Sequence, residues 1–128
     1  MTSAWQDFLL EYGARIEAAT VGHFGDHAAE LRAARDGGIV APLTHLGLLE
    51  CRGEDAQTFL HGQLSNDVKQ LTPERSEYAA YCSAKGRMLA NFLLWQEGGT
   101  YCLQLARSLL APVQKRLGMF VLRTKVTL

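Results

Sequence analysis

Residues 78 to 106, "YAAYCSAKGRMLANFLLWQEGGTYCLQLA", decide the fold class. Three stretches rich in aromatic and aliphatic residues, Tyr78 to Ser83, Arg87 to Trp95 and Thr100 to Ala106, are divided by "AKG" and "EGG". Short apolar runs punctuated by glycine-bearing polar turns predict strands joined as an antiparallel meander. Upstream, "THLGLLECRG" is a compact apolar run closing on Gly53, read as a further strand. It is followed by "EDAQTFLHGQLSNDVKQL", where Ala56, Phe59, Leu60, Leu64, Val68 and Leu71 fall on one helical face. Downstream, Val113, Leu117, Phe120 and Val121 mark a last helix opening near Pro112, and "TKVTL" begins another strand. Strand, helix, three strands, helix, strand describes an α+β fold, a largely antiparallel sheet with helices packed on one face.

The segment before Pro42 has a different character. Trp5, Phe8, Leu9, Tyr12 and Ile16 recur at helical spacing, with Asp7, Glu11, Arg15 and Glu17 on the other side. Asp26 is placed to cap a second, shorter helix that Gly37 and Gly38 end. Residues 1–41 are therefore expected to form an N-terminal helical arm, and 42–128 the main domain. Ending inside a strand suits a piece of a longer protein.

Composition narrows the function classes. In 128 residues, 13 basic and 13 acidic side chains balance, so no global field draws the chain to nucleic acid or to an anionic membrane. The N-terminus lacks the charge pattern of a signal peptide, and no apolar run reaches the ~20 residues of a membrane span. A soluble, cytoplasmic protein is expected. Cys51, Cys82 and Cys102 show no metal-ligand spacing and are read as reduced, buried thiols. His23 and His27 stand four apart, but Gly25 lies between them and no third ligand is near, so a loop is favoured over a metal site. Phosphate loops, nucleophile elbows and zinc-protease motifs are all missing, and no catalytic residue is assigned.

Two features carry binding chemistry. The "SAKGRM" corner offers Lys85 and Arg87 as a solvated hairpin turn or a carboxylate contact. Asn91 sits in an apolar run and, with a regular pleat, shares a face with Leu89, Leu93 and Trp95. A buried amide left without partners costs about 1–3 kcal/mol, so the protein's backbone or a ligand must satisfy it. Tyr101, Leu103 and Leu105 share a face on the next strand. Together the two faces read either as plain core or as a pocket wall for a planar ring with polar edges.

"PLTHLGLLECRGEDAQTFLHGQLSNDVKQL" followed by "AAYCSAKGRMLANFLLW" resembles the N-terminal part of the YgfZ family of tetrahydrofolate-binding proteins, relatives of the glycine-cleavage T protein. The pieces that carry the resemblance are the Gly-x-Asp-Ala-x-x-Phe-Leu-x-Gly-Gln run from Gly53 to Gln63, the Asn66-Asp67 pair, and Ala84 to Arg87. It implies an aminomethyltransferase-like fold, tetrahydrofolate or another reduced folate as cofactor, and Asn91, Tyr101, Leu103, Leu46 and Tyr78 as folate-contacting positions. Iron-sulfur enzymes or their assembly factors are the implied partners, with support of tRNA modification but no direct nucleic-acid contact. Where the aminomethyltransferases carry an Asp-Asp pair, this chain has Ala90 and Asn91. An amide can bond a pterin edge but cannot act as a carboxylate base, so folate binding without aminomethyl transfer is expected. The family's Lys-Gly-Cys-Tyr-x-Gly-Gln-Glu motif does not occur in the chain. An aminomethyltransferase of the glycine cleavage system and a protein-interaction scaffold with a vestigial pocket are the alternatives. Self-association is expected if apolar surface is left uncovered.

Overall fold

The computed structural model describes residues 3–128, which form two compact units meeting in sequence at His45 and Leu46. The boundary expected after residue 41 stands here after His45.

In the first unit, α1 (Ala4–Glu11) opens on a reciprocal cap. The Gln6 N–H donates to Ser3 Oγ at 3.2 Å, and the Ser3 N–H donates to Gln6 Oε1 at 3.0 Å. The helix was expected to run on toward Ile16. It stops at Glu11 because Gly13 adopts φ +86° and the N–H groups of Gly13 and Ala14 return to the carbonyls of Leu10 and Leu9. Ile16 then enters β1 (Arg15–Glu17), which pairs antiparallel with β2 (Thr20–His23). The turn between them is made by Ala18 and Ala19 at φ +47° and +64°, a hairpin without glycine or asparagine and so without a sequence signal. The purely helical arm is thus corrected to helix, hairpin, helix. α2 (His27–Asp36) begins where Asp26 accepts from the Ala29 N–H at 2.9 Å and ends at Gly37, as its caps predict. His23 and His27 present their rings 6.3 Å apart, and among the described residues no group of three His, Cys, Asp or Glu is placed to hold a metal.

The second unit is built on four antiparallel strands in the order β3 (Leu46–Cys51), β6 (Thr100–Ala106), β5 (Met88–Glu97), β4 (Glu77–Cys82). The meander is present, and β3 closes it by lying beside β6, a Greek-key arrangement. One face carries Leu49 and Leu103, Leu94 and Phe92, Ala79 and Tyr81. Against it pack Phe59 and Leu60 of α3 (Ala56–Gln63) and Val113 and Leu117 of α4 (Arg107–Val121). The α+β class with helices on one face of an antiparallel sheet therefore holds.

Three expectations shift. The helix after β3 ends at Gln63 instead of reaching Leu71, because polar side chains tie the next residues to β4. The Ser65 N–H donates to the Ala80 carbonyl (2.9 Å), Ser65 Oγ accepts from the Ala80 N–H (2.8 Å), and Asn66 Nδ2 donates to the Tyr78 carbonyl (2.9 Å). Asp67 then caps a short 3-10 turn at Val68–Gln70. α4 begins directly after β6 and contains Pro112 in its interior, where the missing N–H leaves one turn unlatched. "TKVTL" forms a single bridge, Arg52 with Thr127, not a strand. No helix among the described residues is long and apolar enough to cross a membrane.

Cys82 corrects the thiol reading. Alternation along β4 carries it to the exposed side at the strand's end, together with Tyr78, whereas Cys51 and Cys102 are buried. Burial pushes the Cys51 thiol up to about 11 and raises that of Cys102 as well. A disulfide-exchange reagent such as Ellman's is expected to label Cys82 rapidly at pH 8 and the other two only after denaturation. Rapid labelling of all three in native protein would refute this.

Glu77 begins β4 on the core face, and its Oε1 is buried without a hydrogen-bond partner. Burial raises its carboxyl above the ordinary range, with Asp67 adding and Arg75 opposing. Because the folded-state value lies above the unfolded one, ionisation costs stability as pH rises through that interval and costs nothing below both values. Glu77→Gln is expected to be more stable than the parent at pH 7, with the gap closing by about pH 3.5. Urea midpoints at the two pH values measure this.

Candidate functional site

Each strand of the second unit has one face in the core and one open, and register decides which side chains share the open one. Gly98 and Gly99, at φ +54° and +82°, make a two-residue turn that sets Glu97 opposite Thr100. Odd-numbered residues of β5 consequently share a face with even-numbered residues of β6. Leu93 lies opposite Gln104 and Trp95 opposite Cys102, and across the remaining pairs Tyr78 lies opposite Leu93 and Ala80 opposite Asn91.

Asn91 is not the buried amide expected: it is exposed on this open face, where solvent can reach it, and among the described residues its amide has no hydrogen-bond partner. Tyr78 stands on the same face, 74% exposed, one β4 step beyond Ala80. Leu46 and Leu48 extend the face onto β3, with Leu48 opposite Gln104. The open face is therefore a shallow wall: a phenol, an indole and aliphatic side chains around two primary amides, Asn91 and Gln104. An amide presents donor and acceptor together, which suits the polar edge of a planar heterocycle, while Tyr78 and Trp95 offer rings to stack on it.

Tyr101 and Leu103 do not join this wall. Both are buried on the core face, Leu103 completely, and Leu103 lies opposite Leu94 and Leu49. The common pocket wall of Asn91 with Tyr101, Leu103 and Leu105 is thus corrected: the turn register puts these residues on opposite sides of the sheet. Burial raises the Tyr101 hydroxyl, and a hydrogen bond with Gln57 opposes that shift. Leu89 also departs from the Asn91 face. It is the extra residue of the β4/β5 bulge and, with Tyr81, Val113 and Met119, lines a groove of about 390 Å³ edged by Lys115 and Arg116. Sequence reasoning missed Gln104 and Leu48: the "EGGT" turn contained the register that identifies Gln104, whereas Leu48 depends on the long-range pairing of β3 with β6.

At the far end of the wall, Cys102 is buried between Glu50 and Trp95 in register. Burial first, then the carboxylates of Glu50 and Glu97, raise its thiol, with Arg52 opposing, and Arg52 is ion-paired to Glu50. The Lys85/Arg87 corner is a tight turn in which Gly86 takes φ +76° and the Ser83 N–H donates to the Arg87 carbonyl. Both cations are exposed.

No protein-family model matches the chain. Over 76 residues, 59% of its length, it is 34% identical to the tRNA-modifying protein YgfZ of Escherichia coli O157:H7 (strain EC4115), and 33% identical to that of E. coli strain SMS-3-5. This chain carries a YgfZ-like segment. That segment spans 23% of the length of those YgfZ proteins, about a quarter. The structure of the glycine cleavage system aminomethyltransferase T from Bartonella henselae superposes with a TM-score of 0.60, covering 65% of this chain and 23% of that one. At 18% identity the likeness is one of fold. The resemblance to YgfZ and the aminomethyltransferase-like α+β fold both stand on these comparisons.

Proposed function

We propose that the YgfZ-like segment supplies one wall of a reduced-folate site in a cytoplasmic protein that supports tRNA modification and iron-sulfur enzymes, without transferring an aminomethyl group. The observation that carries this reading is Asn91: an exposed amide with no partner of its own, held by β5 among Tyr78, Leu93 and Trp95. A pterin needs paired donors and acceptors at its edge and an aromatic or apolar surface beneath its ring. The open face offers both. It offers no carboxylate beside Asn91 in the register, so the general base that aminomethyl transfer needs is missing from this wall. Asn91, Tyr78 and Leu46 are the contacts proposed here; Tyr101 and Leu103 serve as the core that holds β6 under them.

Calorimetric titration with tetrahydrofolate tests the reading. Saturable binding by the parent chain is expected, weakened about tenfold or more in Asn91→Ala, the loss of one ligand hydrogen bond of roughly 1–3 kcal/mol. The melting temperature is expected to stay unchanged, because Asn91 contributes nothing to the core. Absence of saturable heat from the parent chain would overturn the assignment of this face, and equal affinity in the variant would remove Asn91 from it.

A further inference from the structure

The first unit carries a second surface that the folate reading leaves unused. Trp5, Phe8 and Tyr12 form a continuous ladder along α1: Trp5 and Phe8 stack with ring centroids 5.4 Å apart, and Phe8 and Tyr12 lie 4.7 Å apart. The ladder faces outward, Trp5 53% and Tyr12 69% exposed, while Leu9 on the adjoining side of the helix is buried. With Phe24, Pro42 and Leu43 opposite, the rings line a groove of about 420 Å³ within the unit. Trp and Tyr are the side chains that most often anchor protein interfaces, since they bury a large rigid area with few rotors to freeze.

Charge says what the groove fits. At 100° per residue, Glu11 flanks the ladder beside Phe8 on the side away from Leu9, and Asp7 lies one step farther round the helix behind it. Residues 1–45 hold six acidic side chains, three arginines and no lysine. Arg35 and Asp36 pair with each other at 2.7 Å, which leaves the remaining acids in excess over Arg15 and Arg32. An anionic membrane or a nucleic acid meets the wrong sign here. A partner that is apolar along one stripe and cationic beside it meets the right one.

We propose that the aromatic groove of the first unit docks a basic amphipathic helix of a partner protein. Apolar residues of that helix, spaced one turn apart, fill the groove between the α1 rings and the Pro42–Leu43 edge, and its lysines or arginines face Asp7 and Glu11. The ladder is preorganised by the Ser3–Gln6 cap and by its own stacking, so little order has to be created on binding.

The test uses the full chain and two labelled synthetic helices of matched helicity, one with leucines along a stripe and lysines elsewhere, the other with glutamates in place of the lysines. Fluorescence anisotropy is expected to show the lysine helix bound and the glutamate helix about tenfold weaker or worse. Trp5→Ala with Tyr12→Ala is expected to weaken the lysine helix about tenfold or more, with circular dichroism unchanged because both rings are exposed. Asp7→Lys with Glu11→Lys is expected to reverse the preference between the two helices. Equal binding of both helices, or undiminished binding by the ring-deleted variant, overturns the proposal. So does a Trp5-dependent dimer in sedimentation that the lysine helix does not dissociate, since the groove would then belong to a second copy. Folate titration of the same variants is expected to be unaffected, which separates this surface from the β-sheet wall.

Discussion

Replacing Gly53 with alanine is expected to destabilise the second unit by about 2–4 kcal/mol, although the change adds one methyl group. Gly53 sits at φ +123°, where side-chain-bearing residues are strained, and a Cβ at that position would lie 2.0 Å from the Lys125 carbonyl oxygen. The obstacle is main chain, so it cannot rotate away. It is also pinned. The N–H groups of Arg52 and Thr127 donate to each other's carbonyls at 2.9 and 2.8 Å, and the Lys125 N–H donates to Asp55 Oδ2 at 2.8 Å. Accommodating the methyl means lifting residues 125–127 off the end of β3 and losing that set of bonds, each worth about 0.5–1.5 kcal/mol net. Gly62→Ala is the matched control: it lies in α3 with open space around its Cβ position, and alanine there is expected to stabilise by roughly 0.5–1 kcal/mol. Urea denaturation of the two variants gives the comparison. A Gly53→Ala protein as stable as the parent would mean the closing segment does not hold the fold.

Phe92→Ala is expected to cost about 3–5 kcal/mol, a large part of the 5–15 kcal/mol that holds a domain of this size together. Phe92 is 1% exposed and central to the core face, beside Ala79 in register and in the cluster with Leu60 and Leu103. Removing the ring opens a cavity that the surrounding strands cannot close, because their positions are fixed by the ladder. Its neighbour Asn91 points the other way. Alanine at Asn91 is expected to leave the unfolding midpoint within about 0.5 kcal/mol of the parent. The pair of variants is therefore a direct test of the sheet's facing: a stability loss at Asn91 comparable with that at Phe92 would show that the strand register is wrong.

Much of the architecture was legible in local chemistry. Asp26 and Gly37 bound α2 as caps, Thr100 to Ala106 is a strand because a glycine pair precedes it, and the alternation along β5 placed Asn91 with Leu93 and Trp95, though not with Leu89. The order of the Gly53–Gln63 run, Asn66-Asp67 and the Lys85 corner was enough for the YgfZ resemblance. Half of the candidate wall was legible too: Asn91, Leu93 and Trp95 share one strand, and period-two alternation needs no partner to be read.

What joins one strand to another was a different matter. Asn91, Tyr101 and Leu103 looked compatible because each strand was read alone, and only the Gly98–Gly99 turn, through its register, put them on opposite faces. The helix that ended at Gln63 had an unbroken apolar period to Leu71, but Ser65 and Asn66 found carbonyl and amide partners on β4, more than ten residues away in sequence. Gly53 looked like an ordinary strand-ending glycine, and its real constraint comes from Lys125 at the other end of the unit. Composition, caps, alternation and motif order are properties of neighbouring residues, so the sequence by itself determined the four main strands, the existence of the helices, the fold class and the family likeness, but not the β1–β2 hairpin or the helix ends. The pairing of β3 with β6, the β5 bulge at Leu89, the early stop of α3 and the full membership of the open face depend on which distant backbone groups satisfy one another, and only the tertiary structure decides that.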